Sequence, residues 1–241
     1  DLFSFEPLSA GLMDSKLRQG VGLGLAASAI ALLFWSMGML QPWEARTWDW
    51  RVSYLSRPAP TSDKIRLVLV DQNSLDWGRE ENGWAWPWPR EVYSAVIDFC
   101  TRMGARVVAF DVFFTEPSGY GVEDDHALGA AISRCKRFVG ALFLGTNTGN
   151  TSVWPDGVPD SNRMVKKLRE LISAARSFGT LMPRATFPVS DVATSSAMLG
   201  NVHADPDADG VYRRVRLFHV FDGRFVPSLA LAAFLVAQPK E

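Results

Sequence analysis

The sequence predicts an α/β fold, with a mainly parallel sheet, flanking helices and a C-terminal hairpin, preceded by one transmembrane helix. After residue 60, short apolar runs alternate with amphipathic stretches of helical length, the pattern of βαβ units in a parallel sheet. Near the N-terminus, residues 20–40 form 21 consecutive positions without a charged side chain. These two observations predict the fold class and the membrane segment.

The uncharged stretch over residues 20–40 is long enough to cross a bilayer, because a helix of that length spans roughly 30 Å. Lys16 and Arg18 precede it, and two tryptophans lie near its far end as interfacial anchors. A signal peptide has a shorter apolar region, about 7–15 residues. The basic residues favour a cytoplasmic N-terminus. The predicted order is a cytoplasmic segment (1–19), a transmembrane helix (20–40), a linker helix (41–60) and an extracytoplasmic domain (61–241).

The first half of the domain shows the clearest strand and helix signals. Three apolar runs are expected to form buried strands, residues 65–70, 106–110 and 138–144. One helix is expected from Pro89 to about Met103 with Gly104 as its stop, and another over residues 124–133, which begins with two acidic residues. Before the domain, residues 42–54 are expected to form a helix that continues the membrane helix.

The second half carries turn signals. A polar loop is expected over residues 146–160, an amphipathic helix over 161–177, and a short helix that Ser190 caps and Gly200 ends. Residues 211–226 are typical of a hairpin, because Asp222-Gly223 is a strong two-residue turn between apolar runs. The helix expected after Pro227 has about ten apolar residues, too few to span a bilayer.

Composition excludes some functions. Lys and Arg number 25 against 26 Asp and Glu, so no global positive field favours nucleic acid as a partner. Nine Trp residues require either a core or a binding surface. Cys100 and Cys135 match no metal-ligand spacing, and they form either one disulfide or two free thiols on helices.

Four residues are the candidate ligand contacts. Asp71 and Asp111 each follow an apolar run directly, and ligands gather at the carboxyl ends of parallel strands. The alternative is that each carboxylate caps a neighbouring loop by accepting backbone N–H bonds. Trp86 and Arg90 lie in GWAWPWPR, residues 83–90, where Trp rings can bind sugars, apolar molecules or quaternary amines. The alternative is a stiff lid whose Trp rings fill the core while Arg90 pairs with an Asp.

A calcium ion is the one cofactor that the sequence raises, and none is otherwise expected. Asp205, Asp207 and Asp209 copy the start of a calcium-binding loop, but its twelfth position holds Arg216 where a Glu is required. A tight acidic turn, with Arg213 and Arg214 as the residues that can neutralise it, is the preferred interpretation. The three His residues lack metal spacing, and no nucleophile elbow or Lys-bearing phosphate loop occurs. No catalytic site is therefore expected in these residues.

Six stretches, in order, resemble the CHASE-type extracytoplasmic sensor domains of the type-two family. They are IRLVLVDQNSL (65–75), WPWPR (86–90), GARVVAFDVFF (104–114), DDHALGAAI (124–132), LGNVHADPDADGVYRRV (199–215) and PSLALA (227–232). The resemblance implies a bacterial inner-membrane receptor whose sensor domain lies in the periplasm or outside the cell. It also implies a C-terminal effector, namely an adenylate or guanylate cyclase, a histidine or serine/threonine kinase, or a diguanylate cyclase.

The expected function is therefore the sensory region of a bacterial transmembrane receptor. Its expected partners are membrane lipid, a second copy in a homodimer, an unidentified small-molecule ligand and an attached cytoplasmic effector. Two alternatives stay open at this point. One is a dimerisation or scaffold module without a ligand, and the other is a metal-dependent extracytoplasmic hydrolase that uses Asp71, Asp111 and the acidic turn.

Overall fold

The computed structural model of the chain describes residues 10–160 and 180–239. The chain divides into two compact units, Asp1–Leu69 and Val70–Glu241. The amphipathic helix predicted over residues 161–177 lies outside the described residues.

The first unit contains two helices, α1 (Ala10–Ser36) and α2 (Gln41–Leu55). Within the described residues, one segment is long and apolar enough to cross a membrane, namely Ser15–Ser36 of α1. The helix expected over residues 42–54 is confirmed by α2. It does not continue α1, because α1 ends at Ser36 and a turn over residues 37–40 separates the two helices.

The turn between α1 and α2 has a specific cause. Gly38 adopts the left-handed conformation, with φ +72°. Its N–H donates to the C=O of Trp35, and the N–H of Met39 donates to the C=O of Phe34, both at 3.0 Å. These two bonds form the Schellman motif, which ends a helix at a left-handed glycine. The chain therefore changes direction at Gly38.

The strand predicted over residues 65–70 is wrong, because this run is irregular and exposed in the structure. Leu67 is 82% exposed and Leu69 is 76% exposed. An apolar run becomes a strand only when a neighbouring strand accepts and donates its backbone hydrogen bonds. The run lacks such a ladder within the described residues, so its β-branched composition alone does not make it regular.

The second unit contains five helices within the described residues. They are α3 (Gln72–Asn82), α4 (Arg90–Arg102), α5 (Val122–Cys135), α6 (Ser190–Ser195) and α7 (Leu229–Ala237). The predictions for α4, α5 and α7 are confirmed. The sequence reading missed α3, although Asp71 precedes it as N-cap and Gly83 follows it with φ +68°. Cys100 and Cys135 are free thiols on α4 and α5.

The part of the chain that the structure describes has seven strands, which form two small mixed sheets. The strands are β1 (Val108–Ala109), β2 (Phe138–Gly145), β3 (Thr180–Leu181), β4 (Arg184–Thr186), β5 (Met198–Asn201), β6 (Phe218–Phe221) and β7 (Arg224–Pro227). In the larger sheet, β2 pairs in parallel with β1 and β5 and antiparallel with β4. In the smaller sheet, β6 pairs in parallel with β3 and antiparallel with β7. The α/β class holds, but a mainly parallel sheet is not confirmed.

The hairpin predicted over residues 211–226 is present as β6 and β7, but it is shorter than expected because residues 211–217 are not in a strand. Its turn residues Asp222 and Gly223 both have positive φ, 47° and 71°, as a type I′ turn requires. The expectation that Gly200 stops a helix is wrong, because Gly200 lies inside β5 and the helix ends earlier, at Ser195. The run Met198–Asn201 is too short to show a strand period, so its pairing with β2 decides its structure.

Strand β2 is the centre of the second unit, and it is buried on both faces along nearly its whole length. On one face, Phe138 of β2 packs with Trp88, with Ile97 of α4 and with Leu128 and Ile132 of α5. Towards its carboxyl end, Leu142 and Leu144 join a second cluster that contains Trp154 and Phe221. The segment over residues 83–90 is therefore joined to this core through Trp84 and Trp88.

Candidate functional site

Aromatic rings run in contact from the surface to the core of the second unit. The ring centroids of Trp77 and Trp84 lie 5.8 Å apart, and those of Trp84 and Trp88 lie 5.9 Å apart. The series continues from Trp88 to Tyr93 at 6.5 Å and from Tyr93 to Phe114 at 5.1 Å. Most of these pairs meet edge to face, an arrangement that aromatic quadrupoles favour. We call these five residues the aromatic series.

Trp86 and Trp88 have different environments although they are two residues apart. Trp88 is 7% exposed, whereas Trp86 is 56% exposed. A Cβ built on Gly78 would lie 2.7 Å from Nε1 of Trp88, so only glycine lets α3 approach this ring so closely. Trp88 therefore packs as the lid interpretation describes, and Trp86 keeps a ring open to solvent beside it.

Arg90 is held on three sides. Its Nε donates to Oδ1 of Asp125 at 3.1 Å, and both side chains are 6% exposed. Its Nη2 donates to the C=O of Glu116 at 3.0 Å, and its Cζ lies 4.6 Å from the ring centroid of Phe114. Arg90 thus pairs with an Asp, as the alternative interpretation describes, and its guanidinium is used inside the protein.

Asp124, in the first turn of α5, caps the neighbouring helix α4. The N-cap residue of α4, Pro89, has no side chain that can accept a hydrogen bond. Asp124 takes that role by accepting the N–H of Arg90 at 2.7 Å and that of Glu91 at 3.0 Å. The hydroxyl of Ser118 donates to the same carboxylate at 2.5 Å. A carboxylate at a helix N-terminus satisfies free N–H groups and interacts favourably with the helix dipole.

The sequence reading missed Asp124 and Asp125 as site residues. Asp125 accepts the N–H of Ser118 at 2.7 Å in addition to the guanidinium of Arg90. We call Arg90, Ser118, Asp124 and Asp125 the Arg90 cluster. The sequence signal was the acidic pair at the start of one helix and the Pro-Arg pair at the start of another, but it does not show that the two helix ends meet.

A cavity of about 130 Å³ adjoins the Arg90 cluster. Its lining includes Trp88, Arg90, Phe113, Glu116 and Ser118. Pockets for drug-sized ligands measure about 300–1,000 Å³, so this cavity suits a small group or a few water molecules. Its lining begins with Pro87 and Trp88, the two residues that follow Trp86 in the chain.

The two carboxylates predicted at strand ends have different roles, and no strand directly precedes Asp71. Asp71 caps α3, because its Oδ1 accepts the N–H of Ser74 at 2.8 Å and its hydroxyl at 2.7 Å. These bonds favour the carboxylate form and lower the pKa of Asp71 below its ordinary value. Asp111 follows β1 and is exposed. Asp71 thus takes the capping role that the sequence left open, and Asp111 stays accessible to solvent.

The acidic turn is neutralised from within the chain. Arg213, whose side chain is 6% exposed, donates to Asp207 at 3.1 Å and to Asp209 at 2.8 Å. The hydrogen bonds from Arg213, followed by the N–H of Val211, lower the pKa of Asp209 to about 2. Asp205 instead lies 3.0 Å from Nε2 of His203. Arg213 thus pairs with two of the three carboxylates, as the acidic-turn interpretation describes.

A buried polar network joins β5 to β6, and the sequence reading missed it. The Oδ1 of Asn201 accepts the N–H groups of Leu144 at 3.0 Å and of His203 at 3.1 Å. Its Nδ2 lies 3.0 Å from Nδ1 of His219. Asn201 and His219 are 2% and 1% exposed. Because the amide nitrogen donates, Nδ1 of His219 accepts, and the imidazole is neutral with its proton on Nε2.

Lowering the pH is expected to destabilise the second unit through His219. Burial lowers the pKa of this imidazole, and the charges of His203 and Arg216 lower it further, while Asp205 opposes them. The unfolded chain therefore binds the proton more readily, so this contribution to stability is complete above the ordinary pKa of about 6.5 and is lost as the pH falls. Urea unfolding near pH 8 and near pH 5 measures the loss. His219→Gln should show a smaller pH dependence, and equal dependence in both proteins would contradict the assignment.

A family match covers most of the chain. The CHASE2 domain family matches residues 25–241, from the membrane helix candidate α1 through the hairpin and α7. No curated protein and no solved structure matches the chain. Because the match extends over far more than half of the 241 residues, the chain belongs to the CHASE2 family, the extracytoplasmic sensor domains of transmembrane receptors.

Proposed function

We propose that this chain is the input region of a bacterial transmembrane receptor in the inner membrane, with α1 embedded in lipid. In this proposal residues 61–241 lie in the periplasm or outside the cell and control a C-terminal cyclase or kinase. The observation that carries the proposal is the family match over residues 25–241, which includes the second half of the apolar segment Ser15–Ser36 and the whole second unit. The uncharged length of α1 supports the membrane placement.

The ligand is proposed to be a small molecule that contacts Trp86 and the adjoining cavity. Trp86 is the exposed ring in a rigid surrounding, since its neighbour Trp88 is buried at a centroid distance of 6.2 Å. A rigid aromatic ring binds at a low cost in conformational entropy. Asp111 is the second accessible candidate, whereas Asp71 and Arg90 bind groups of their own chain. An exposed Trp ring suits an apolar or cationic ligand.

A ligand transmits a signal only if it binds two states with different affinity, because equal binding shifts no population. In a homodimer, such a shift changes how two copies of α1 and α2 are arranged. The Arg90 cluster supports this proposal, since it couples the segment carrying Trp86 to the ends of α4 and α5. Ligand binding at Trp86 would then act on both helices through this cluster.

The membrane placement predicts a strong difference between two reporter fusions. Alkaline phosphatase fused after Glu241 should be active in a bacterial host, because this enzyme needs an oxidising compartment, and a green fluorescent protein fusion should be dark. The matched control is the same phosphatase fusion without residues 1–40, which should lose most of its activity. An inactive phosphatase together with a fluorescent protein fusion would overturn the extracytoplasmic assignment.

The ligand site predicts that Trp86→Ala removes binding while Trp77→Ala keeps it. Trp77 is a matched control, because it is 54% exposed and belongs to the aromatic series but, unlike Trp86, does not directly precede the cavity-lining residues Pro87 and Trp88. The measurement is thermal shift of the full chain against a set of small amines, sugars and apolar metabolites. Compounds that stabilise the parent chain should fail with Trp86→Ala. If they stabilise both variants equally, the ligand binds elsewhere.

A scaffold without a ligand is the second candidate function. It is favoured by the burial of Trp88 and by the internal pairing of Arg90 with Asp125. The two candidates differ in one measurement, which is the output of the receptor in membranes when Trp86→Ala and Asp111→Asn are combined. A sensor loses its response, whereas a scaffold keeps its output unchanged.

A further inference from the structure

We propose that α2 lies within the phospholipid headgroup layer, along the membrane surface, rather than standing upright between the membrane and the domain. The proposal rests on the membrane placement of α1 given above. Its starting observation is the Schellman motif at Gly38, which ends α1 and turns the chain before α2 begins. A linker that only carried the domain upward would need no such break.

The surface of α2 is aromatic on two opposite faces. Trp43, Trp50 and Tyr54 share one face by their spacing of seven and four residues, and they are 66%, 60% and 74% exposed. Trp48 and Val52 share the opposite face, at 47% and 44% exposed. The described side chains of α2 include no buried residue. Rings this large, exposed on both faces, require a surrounding that covers the helix on more than one side.

Two arginines lie over these rings. The Cζ of Arg46 is 5.7 Å from the ring centroid of Trp43, and that of Arg51 is 5.8 Å from the ring centroid of Trp48. Trp and Tyr concentrate at the boundary between hydrocarbon and water, where one end of the ring is apolar and the other is hydrated. Guanidinium groups there extend to lipid phosphates while their methylene stems stay on apolar surface. The pairing of Arg with Trp on both faces therefore fits phospholipid headgroups.

Length decides between an upright and a lying helix. From Trp43 to Tyr54 the helix advances roughly 16 Å at 1.5 Å per residue. The headgroup layer on each side of the hydrocarbon is only about 5–7 Å thick. An upright α2 would keep Trp43 in this layer and place Trp50 and Tyr54 in water, whereas a lying α2 keeps all of them in it.

The test is site-directed spin labelling of the full chain in phosphatidylcholine/phosphatidylglycerol vesicles. Cys100 and Cys135 are first replaced by Ala, and single labels are then attached at Thr47→Cys, at Ser53→Cys or at Ser28→Cys. Depth is read from the accessibility of the nitroxide to oxygen and to a water-soluble nickel complex. The label at Ser28 should lie in the hydrocarbon. The labels at Thr47 and Ser53 should lie at similar depth in the headgroup layer.

Three results would overturn the proposal. If Ser28 is in hydrocarbon but the Ser53 label is about 9 Å further out than the Thr47 label, α2 is upright, since six residues advance a helix by that length. If the Thr47 or Ser53 labels broaden one another's spectra between chains, α2 pairs with a second copy. Both results leave the membrane placement intact. A Ser28 label in water would overturn the membrane placement and this proposal together.

Discussion

Replacing Asp125 with alanine is expected to lower the free energy of unfolding by about 3–5 kcal/mol, because it leaves the buried guanidinium of Arg90 without its counter-charge. The two side chains are each 6% exposed, and their atoms lie 3.1 Å apart. The same substitution removes the acceptor for the N–H of Ser118. Urea unfolding of the chain in detergent micelles, followed by tryptophan fluorescence, measures the loss.

The matched control is Asp98→Ala, because Asp98 and Arg134 form an ion pair between the same two helices, α4 and α5. Their atoms are 2.8 Å apart, but the side chains are 33% and 58% exposed. Exposed pairs contribute about 0–1 kcal/mol, so this variant should stay close to the parent. Equal losses in Asp125→Ala and Asp98→Ala would show that burial of the Arg90–Asp125 pair does not increase its contribution to stability.

A double substitution separates charge from shape. Arg90→Met combined with Asp125→Leu removes both charges and keeps apolar volume, and such replacements of buried pairs are often close to neutral. The double variant is therefore expected to recover a large part of the stability that Asp125→Ala loses. The recovery stays incomplete because the C=O of Glu116 and the N–H of Ser118 lose their partners. A double variant weaker than the single one would contradict this account.

Local signals in the sequence predicted the elements that are formed by local interactions. The acidic start of α5, the Pro-Arg start of α4 and the Asp222-Gly223 turn each act within a few residues, and all three are present in the structure. Strand β5 was missed because Met198–Asn201 becomes a strand only through its pairing with β2, which is distant in sequence. The apolar run over residues 65–70 failed for the same reason, since strand-like composition without a partner strand does not give a ladder.

The same distinction between local and long-range interactions applies to the residues of the candidate site. The sequence pointed to Trp86 and Arg90 and offered a paired Arg90 as one interpretation, which the structure shows. It did not identify Asp125, which lies 35 residues away in sequence from Arg90. Nor did it identify Asn201 with His219, since each is an ordinary polar residue until β5 and β6 bring them together. Roles that depend on tertiary contacts between distant segments cannot be predicted from a local motif.

Gly200→Ala is expected to lower the free energy of unfolding by an amount comparable to that of Asp125→Ala, in this case through a steric clash. Gly200 lies in β5 opposite Ala141 of β2, and the start of α7 packs over it. A Cβ at Gly200 would lie 2.5 Å from Cα of Leu229 and 3.0 Å from its backbone N. Backbone atoms at a helix start cannot rotate away as a side chain can, so α7 must shift from the sheet. Such overpacking destabilises the fold by about 3 kcal/mol. The higher intrinsic preference of Ala over Gly for a strand offsets roughly 0.5–1 kcal/mol of this loss.

Gly140→Ala is the matched control for Gly200→Ala, because Gly140 lies in the adjacent strand β2 of the same sheet. Its added Cβ would meet Cδ2 of Leu199 at 3.0 Å and Oγ of Ser196 at 3.1 Å, which are the ends of side chains. These atoms can move by a few tenths of an ångström, so the net change should be about 1 kcal/mol or less. Urea unfolding ranks the two variants, and near-UV circular dichroism should change for Gly200→Ala alone. If Gly140→Ala proves the more damaging variant, the close packing of α7 on β5 is not what requires glycine at position 200.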